Sequence, residues 1–349
     1  MTSRTSRSRD FATSTHARPT ARDYDYYEQL YNPDAHVPDQ PHVPVRTKSR
    51  QKAAAIVANL TDEAMGGEAG FTTTYNPARH EEGWLMSSLG LFYANDLITD
   101  VLAMVKGGKE ATVYRCRGTR AAEYDIVAAK VYRPRQFRNL RNDKMYKEGR
   151  RVLTADGRPV KATDQRLIRA LNKKTAFGKQ VEHTSWLMYE FTTLQQLYAA
   201  GVAVPKPIAT SENAILMEHI GSADITAPTL HEVSLAYPEA QALFDTTLIH
   251  IERMLAAGMV HGDLSAYNIL YWEGEICLID FPQVTYSLTN SNARSVFFRD
   301  VQRVCEYFAS QGVDSNPRAL AYTLWNRYET QREADRLAEL SRHAPTDEE

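Results

Sequence analysis

The sequence predicts an α+β fold of two lobes: a small lobe with an antiparallel sheet plus one helix, and a larger, mainly helical lobe. Two neighbouring β-branched and aromatic runs, VYRCRG and DIVAAKVY, indicate a β-hairpin in the first half of the chain. In the second half, apolar residues recur at steps of three and four, which is typical of helices that bury one face. The apolar run AILMEHIG at 214–221 lies between these regions, so we expect the crossover between lobes there.

Composition places the chain among folded proteins with a sizeable core. Of its 349 residues, 43% are hydrophobic, which excludes a chain that is disordered throughout. The formal net charge of -2 argues against a protein that coats nucleic acid through its bulk charge. Three scattered cysteines suit neither a disulfide framework nor a cysteine zinc site, so we expect buried thiols in a cytoplasmic protein. No uncharged apolar run is long enough to predict a membrane-spanning helix, so no membrane partner is expected.

Residues 1–84 have the composition of a basic, proline-containing N-terminal tail. Polar residues dominate, and four prolines fall between positions 33 and 44, which a helix does not tolerate. The first 22 residues are rich in Arg, Ser and Thr without an apolar segment, which excludes a secretory signal and favours a disordered tail. A transit peptide would share this composition and stays open as the alternative. Regular patterns begin near residue 85, where we place the start of the folded domain.

The charge of residues 131–180 differs sharply from that of the rest of the chain. They contain 15 Lys and Arg against four Asp and Glu, a local charge of +11. Such a stretch can be a surface for polyanions, either RNA or the phosphates of a nucleotide, or a solvated insertion, and the sequence favours neither. We treat it as a basic flexible insertion in a small lobe that spans 85–218. The large lobe then spans 219–330, and a C-terminal tail follows at 331–349.

Two amphipathic helices flank the strand in AILMEHIG. The first carries Glu190 and ends near Gly201, and the second has Gly258 in position to cap its C-terminus. Both repeat apolar residues at steps of four, three and four: Leu187, Phe191, Leu194 and Tyr198 in the first, and Phe244, Leu248, Ile251 and Leu255 in the second.

The most informative motif is HGDLSAYN at 261–268, followed by an apolar hairpin pattern that ends at Asp280. Phosphoryl transfer from a nucleotide needs a carboxylate to orient the attacking hydroxyl, and oxygen ligands for Mg²⁺. A loop with Asp263 and Asn268, and a hairpin that returns Asp280 to the same end, can supply all of these. The protein-kinase pattern assigns the base to Asp263 and the metal ligands to Asn268 and Asp280. The structural alternative is an Asp- and Asn-rich turn that caps a hairpin.

Two upstream features suit a nucleotide site. VKGGKEATVY at 105–114 lies between two predicted strands, where Gly107 and Gly108 let the backbone approach phosphate, although an ordinary hairpin turn fits as well. Lys130 in AAKVY matches the strand lysine that binds the α- and β-phosphates and pairs with a helix glutamate, for which Glu190 is the candidate. The order of these features along the chain favours this interpretation over a surface lysine.

With these motifs, residues 95–312 resemble the RIO family of atypical serine/threonine protein kinases, most closely its type one branch, and a bacterial member of that branch stays open. GKEATVY resembles the family's phosphate loop, AAKVYR its lysine strand, HGDLSAYNILY its catalytic loop and LIDFPQ its metal-binding segment. FFRDVQRVCEYF resembles the helix that closes the family's domain, and Asp300 in it is a candidate anchor for the catalytic loop. Lys106 and Gly107 replace a Ser-Thr pair of the family's loop, so contacts to phosphate are expected from the backbone rather than from a hydroxyl.

The resemblance implies a protein-kinase-like fold with a truncated large lobe and with ATP in the cleft between lobes. It implies ATP and Mg²⁺ as cofactors, with Mn²⁺ as an alternative metal. Lys130, Asp263 and Asp280 would be catalytic, and Asn268 and Asp280 would bind the metal. LMEHIG resembles the hinge, whose backbone contacts adenine. The nucleotide-binding residues would be Gly107, Gly108, Lys109, Glu110, Ala111, Val113, Lys130, Glu190, Glu218 and Ile220.

The resemblance also bears on substrate and partner. The 69 residues after Asp280 contain no A-P-E sequence, so the surface that docks a peptide in ordinary protein kinases is expected to be missing. The family implies a kinase or ATPase that acts on a protein hydroxyl or on itself, Asp280 included, with turnover linked to release from pre-ribosomal particles. Ribosomal RNA or such a particle would then bind the basic stretch 131–180. A bacterial source would argue against the ribosomal link.

Two other functions stay open. HGDL with a later Asn also occurs in aminoglycoside and choline phosphotransferases, but GKEATVY and the short C-terminal lobe argue against a small-molecule substrate. A non-catalytic, ribosome-associated module that binds the nucleotide as a structural ligand would be expected to lack a catalytic carboxylate or lysine, and none is missing here.

Overall fold

The computed structural model describes residues 73–108, 110–133, 146, 148–161, 163–173 and 175–342. Its small lobe is built on a five-stranded antiparallel sheet with the strand order β1-β2-β3-β5-β4. The predicted hairpin is the pair β2–β3, in which Val113 lies opposite Lys130. The strands are β1 (Ile98–Gly107), β2 (Ala111–Gly118), β3 (Ile126–Tyr132), β4 (Pro207–Thr210) and β5 (Ala214–Glu218).

The described part of the small lobe contains three helices, so the prediction of one helix is wrong. They are α1 (Arg79–Ala94), α2 (Gln165–Asn172) and α3 (Ala176–Ala199). The long helix α3 includes the predicted apolar pattern, but Tyr198 is 46% exposed and Leu197 takes the buried position beside it. Gly201, at φ +70°, follows the helix end as predicted.

The folded region begins before residue 85. The backbone N–H of Tyr75 donates to the carbonyl of Val101 in β1, and α1 follows at once. The prediction of a tail is therefore wrong for residues 73–84, whereas its earlier part lies outside the described residues. Charged residues in the first turn of α1 made this segment resemble a polar tail. The buried face of the helix packs against the sheet through Leu85, Leu89 and Phe92.

The prediction of a flexible insertion at 131–180 is wrong for much of its described part. Residues 165–172 form α2, and residues from 176 onward belong to α3. The Asp164 carboxylate caps α2 by accepting the Leu167 N–H at 3.2 Å. The two helices lie so close that a Cβ on Gly178 would be 2.1 Å from the carbonyl oxygen of Ala170, which leaves room only for glycine there. Residues 134–145, 147, 162 and 174 of the insertion lie outside the described residues.

The large lobe is mainly helical, and the predicted α+β fold class is confirmed. Its last helix, α6 (Pro317–Arg342), makes the predicted tail from residue 331 wrong for residues 331–342. Good helix formers extend this helix even though its last turns are highly charged. The elements are α4 (Tyr237–Ala256), β6 (Met259–Val260), β7 (Ile269–Trp272), β8 (Glu275–Leu278), β9 (Thr285–Tyr286), α5 (Ala293–Ser310) and α6 (Pro317–Arg342).

One continuous hydrophobic core connects the two lobes. It extends from Tyr132 on β3 and Leu187 on α3 to Phe281 and to Phe308 on α5 in the large lobe. A second, smaller cluster lies between α1 and the opposite face of the sheet. The three cysteines are buried free thiols, as predicted. No helix in the described part of the chain has the length and apolar character needed to cross a membrane.

Candidate active site

An ion network that is buried at Lys130 and Glu190 and partly exposed at Asp280 brings β3, α3 and the segment after β8 together in the cleft. The Lys130 ammonium lies 2.5 Å from Glu190 Oε1 and 2.6 Å from Asp280 Oδ1. Glu190 is 2% exposed, and its second oxygen accepts a hydrogen bond from the Tyr132 hydroxyl. The structure therefore brings together three of the predicted site residues that lie far apart in the sequence.

The pKa shifts of Lys130 and Asp280 keep these two groups charged at neutral pH. Burial lowers the pKa of Lys130, but the carboxylates of Asp280 and Glu190 outweigh it and raise the pKa well above its ordinary value. Burial raises the pKa of Asp280, and the Lys130 ammonium outweighs that effect and lowers the pKa below its ordinary value. Burial and Glu190 both raise the pKa of Tyr132. Tyr132 therefore stays a neutral donor to Glu190.

The catalytic-loop motif folds as a tight turn after β6. The short 3-10 turn Ala266–Asn268 places the Asn268 amide nitrogen 2.8 Å from the backbone carbonyl of Asp263. This bond uses the nitrogen of Asn268 and leaves its side-chain oxygen for another partner. Asp263 and Asn268 are thus adjacent, at one end of the hairpin β7–β8 whose other strand leads to Asp280.

His261 connects the loop to the segment around Asp280. Its Nε2 lies 3.1 Å from the carbonyl of Ile279, its Nδ1 accepts the Asp263 N–H at 3.3 Å, and its ring packs on Phe281 at 4.6 Å between centroids. These contacts give His261 a structural role. Asp280 itself has φ +72°, a left-handed conformation uncommon outside glycine, that turns the chain at the cleft.

Helix α5 anchors the catalytic loop, and the contact predicted for Asp300 is present. The Asp300 carboxylate accepts the Gly262 N–H at 2.8 Å, and the Arg299 guanidinium donates to the carbonyl of the same glycine. Gly262 has φ +91°, and a Cβ there would be 2.2 Å from the carbonyl oxygen of Gln283. The chain therefore needs glycine at this position of the motif.

Three arginines of the site were missed by sequence reasoning. Arg303 on α5 donates to Asp263 Oδ1 at 2.7 Å, and Arg299 holds Gly262. Arg150 donates to the carbonyl of Pro282 at 3.0 Å and to that of Val284. For the two on α5, the signal was their spacing from Asp300, one before and three after, on a helix already expected at the site. Arg150 had no such signal within a stretch of many cations.

The predicted phosphate loop is a tight turn between β1 and β2. Gly107 ends β1, and the Gly108 N–H donates to the carbonyl of Ala111 at 2.9 Å. A Cβ on Gly108 would be 2.8 Å from that carbonyl oxygen, so glycine is needed for the close approach. Lys106, Val113 and Lys130 are opposite one another on three successive strands, which puts them on one face of the sheet.

The remaining predicted loop residues surround this turn. The Glu110 carbonyl accepts the Arg133 N–H at 2.9 Å, and Ala111 and Val113 pack against the core that connects the lobes. The prediction for Lys109 lies outside the described residues.

The predicted hinge begins in the last residues of β5 and continues beyond it. The Glu218 N–H donates to the carbonyl of Lys206, and the Ile220 carbonyl accepts the Ala227 N–H, both at 2.9 Å. Between them, burial lowers the pKa of His219 to about 4, which keeps its imidazole neutral beside Thr226. The backbone groups of Glu218 and Ile220 that would face an adenine are therefore the carbonyl and the N–H, respectively.

The carboxylate and amide pair suits magnesium better than a transition metal. Among the described residues, no cluster of three or more His, Cys, Asp and Glu side chains could hold a metal by itself. Mg²⁺ needs no such cluster, because it binds through one or two carboxylates together with substrate phosphates and water. Asn268 and Asp280 fit this kind of site.

Comparison with known proteins points to one family. The RIO domain family model matches residues 112–320. The chain is 34% identical over 218 residues to the RIO-type serine/threonine-protein kinase Rio1 of Haloferax volcanii, covering 62% of this chain and 66% of that protein. It is 31% identical over 132 residues to Rio1 of Thermoplasma acidophilum (38% and 68%) and 29% identical over 236 residues to RIO1 of Chaetomium thermophilum (63% and 41%).

The chain thus spans less than two thirds of the length of the Haloferax and Chaetomium relatives. A crystal structure of the Rio2 kinase-ADP/Mg²⁺-phosphoaspartate complex from Chaetomium thermophilum also matches. Its TM-score is 0.47 at 20% sequence identity, with 87% of this chain and 86% of that chain covered.

Proposed function

The chain belongs to the RIO domain family, whose model matches more than half of it, and from this premise we propose that it is an ATP-dependent serine/threonine kinase or ATPase of RIO type. The observation that carries the proposal is the joint placement of Lys130, Glu190 and Asp280 beside the Asp263 and Asn268 loop. Phosphoryl transfer depends mainly on positioning and on charge stabilisation, and this arrangement supplies both.

Each residue has a role that follows from its contacts. Lys130 binds the α- and β-phosphates while Glu190 keeps the ammonium in place. When the nucleotide binds, contacts to phosphate replace the contact between Lys130 and Asp280. Asp280 and the side-chain oxygen of Asn268 would hold Mg²⁺ (or Mn²⁺), which would neutralise charge on the phosphate oxygens. Asp263 orients the attacking hydroxyl and accepts its proton.

The backbone supplies the other nucleotide contacts. The turn at Gly107 and Gly108 covers the phosphates, and the carbonyl of Glu218 and the N–H of Ile220 bind the adenine edge. Val113 lies opposite Lys130 in the β2–β3 pair, and its side chain packs on one face of the adenine ring.

The acceptor is a protein hydroxyl or a group of the enzyme itself. Asp280 is the internal candidate, because its carboxylate lies beside the phosphate-binding lysine and is 44% exposed. RIO membership supports this assignment, since some members are thought to phosphorylate their own metal-binding aspartate.

We further propose RNA as a partner of the basic α2 surface, defined as Arg166, Arg169, Lys173 and Lys179. These cations are exposed, and Arg166 stacks over the half-exposed ring of Phe177 at 5.8 Å. Arginine beside an exposed aromatic ring suits both phosphates and unstacked bases. The family resemblance supports a pre-ribosomal particle as the source of the RNA.

For the cellular location we propose the cytoplasm, because three free thiols are typical of a reducing compartment.

The test of the proposed function is incubation of the full chain with Mg²⁺ and γ-labelled ATP, with Asp280→Ala in parallel. We expect phosphate release, label on the protein, or both. Acid-stable label supports a hydroxyl-directed kinase, and label cleaved by hydroxylamine and lost in Asp280→Ala supports an aspartyl-phosphate ATPase. If the wild-type protein gives neither label nor released phosphate, the proposal is wrong.

A further inference from the structure

Arg303 makes a direct contact with the proposed base. It lies on α5, and its Nη1 is 2.7 Å from Asp263 Oδ1. The side chains are 40% and 42% exposed, so the pair lies at the open side of the cleft rather than in the core. A bound substrate can therefore reach both groups without unfolding the surrounding structure.

The contact leaves one oxygen of Asp263 for the acceptor. Arg303 occupies Oδ1, whereas the nearest donor to Oδ2 is the Asn268 amide at 3.5 Å, which bonds more closely to the Asp263 backbone carbonyl at 2.8 Å. A general base has to lie within hydrogen-bond reach of the hydroxyl proton, and a contact that fixes one carboxylate oxygen also fixes the direction of the other. Arg303 thus orients Asp263 with Oδ2 toward an incoming hydroxyl.

Positive charge beside the base has to come from outside the catalytic loop. The loop 261–268 contains neither Lys nor Arg. Lys130 is already engaged by Glu190 and Asp280. Among the ion pairs of the described residues, Arg303 is the cation in contact with Asp263.

The position of Arg303 is well determined by its helix. One turn earlier on α5, Asp300 and Arg299 hold the N–H and the carbonyl of Gly262, the residue before Asp263. Arg299, Asp300 and Arg303 therefore all connect the helix to the loop. The Arg303 guanidinium is thus already beside Asp263 before a substrate binds. Preorganised charge of this kind is the most effective form of electrostatic stabilisation.

We propose that Arg303 is a catalytic residue whose guanidinium bridges Asp263 and the γ-phosphoryl group, an inference that rests on the proposed function. In the transfer step, the acceptor oxygen forms a bond to the γ-phosphorus and its proton passes to Asp263 Oδ2. The bond from the γ-phosphorus to the bridging β-phosphate oxygen breaks, and ADP leaves with the electron pair. Arg303 donates hydrogen bonds to the γ-phosphoryl oxygens as their charge changes.

The experiment compares Arg303→Ala and Arg303→Lys with the wild type and with Arg294→Ala, a control on the same helix that stacks on Phe298 and Tyr322. Three quantities are measured in each variant: kcat for phosphate transfer or release, affinity for Mg²⁺-ADP, and affinity for Mg²⁺-ADP with aluminium fluoride, which mimics the transferring group. We expect Arg303→Ala to lower kcat about 100-fold and to weaken binding of the analogue by a similar factor while ADP affinity stays unchanged.

Two further results would support the assignment. Arg303→Lys retains the charge without the planar fork and should recover part of kcat, which also decides the matter if the alanine variant is unstable. Added guanidinium should raise kcat of Arg303→Ala and leave Arg294→Ala unaffected.

Other outcomes overturn the inference. A rise in activity of Arg303→Ala would mean that the ion pair is a resting contact that blocks the base. An equal loss of ADP and analogue affinity would indicate a structural role only. Unchanged kcat in Arg303→Ala with an active wild type would refute the role of Arg303 alone, whereas a wild type that binds neither nucleotide nor analogue would refute the proposed function itself.

Discussion

Lys130 shows how a single side chain connects stability with function. Its ammonium is the shared partner of two carboxylates, one of which, on Glu190, is almost completely buried. Removing one member of a buried ion pair leaves the other charge without compensation, which costs more than the pair contributes. The residue that the proposal places on the phosphates is therefore also needed for the fold around it.

We expect Lys130→Met to lower the free energy of unfolding by about 3 kcal/mol and to abolish ATP binding, because Glu190 loses its cation. Urea denaturation and nucleotide titration measure the two effects. The matched control is Lys206→Met, which breaks an exposed ion pair with Glu123 at 2.6 Å and should change stability little. Equal destabilisation by the two variants would contradict the assigned importance of burial.

The pKa of Asp280 gives a pH dependence with a definite sign. Burial alone would raise this pKa, but Lys130 holds it below the ordinary value, so the unfolded chain binds the proton more tightly than the folded one. The stabilisation is complete above the unfolded pKa, near 4, and is lost as the pH falls through the lowered folded pKa. We expect the wild type to lose more stability than Asp280→Asn between about pH 5 and pH 3, as measured by urea denaturation at each pH. Parallel curves for the two proteins would contradict this prediction.

At the scale of elements, α1 is part of the small lobe and not of a tail. Its residue Leu89 is fully buried between the helix and the sheet, whereas Leu91 on the same helix is 51% exposed. We expect Leu89→Ala to lower the free energy of unfolding by about 3 kcal/mol, because it leaves a cavity in a packed core. Leu91→Ala is the control and should have little effect. A small effect of Leu89→Ala would mean that α1 does not pack on the sheet in solution.

Helix α2 is the element on which the RNA proposal can be tested. Replacing Arg166, Arg169 and Lys173 with glutamine removes three exposed cations without changing the Asp164 cap. We expect the slope of log affinity against log salt for single-stranded RNA to fall by about 2, since each phosphate contact contributes about 0.7. Arg327→Gln on α6, whose partner is Glu252, is the control. An unchanged slope would favour the solvated-insertion interpretation.

At the scale of the whole molecule, residues of the two lobes contact each other directly across the cleft. Lys130 of the small lobe binds Asp280 of the large one, Arg150 binds the carbonyls after Asp280, and the core continues beneath them. A ligand that binds only the folded, assembled cleft stabilises the entire unit by mass action.

Mg²⁺-ATP should therefore raise the melting temperature of the wild type, and it should do so equally for Asp263→Ala, whose side chain lies outside the proposed nucleotide contacts. The same variant should reduce phosphate transfer by at least about 1000-fold, because the proposed base is missing. Melting curves and the labelled-ATP assay separate binding from chemistry. Full activity of Asp263→Ala would remove the proposed base, whereas loss of the thermal shift in this variant would show that Asp263 contributes to ATP binding.

The sequence by itself predicted the α+β fold class and the β2–β3 and β7–β8 hairpins, because periodicity and turn patterns are local properties of the chain. It also singled out Lys130, Glu190, Asp263, Asn268 and Asp280 as candidates, because motif spacing is a property of the sequence. Only the tertiary structure showed the start of the described fold before residue 85, the helices within the basic stretch and the contacts of Arg299, Arg303 and Arg150. Those features depend on contacts between residues far apart in the sequence. An arginine beside Asp263 looks the same in the sequence as an arginine in solvent, and packing alone distinguishes them.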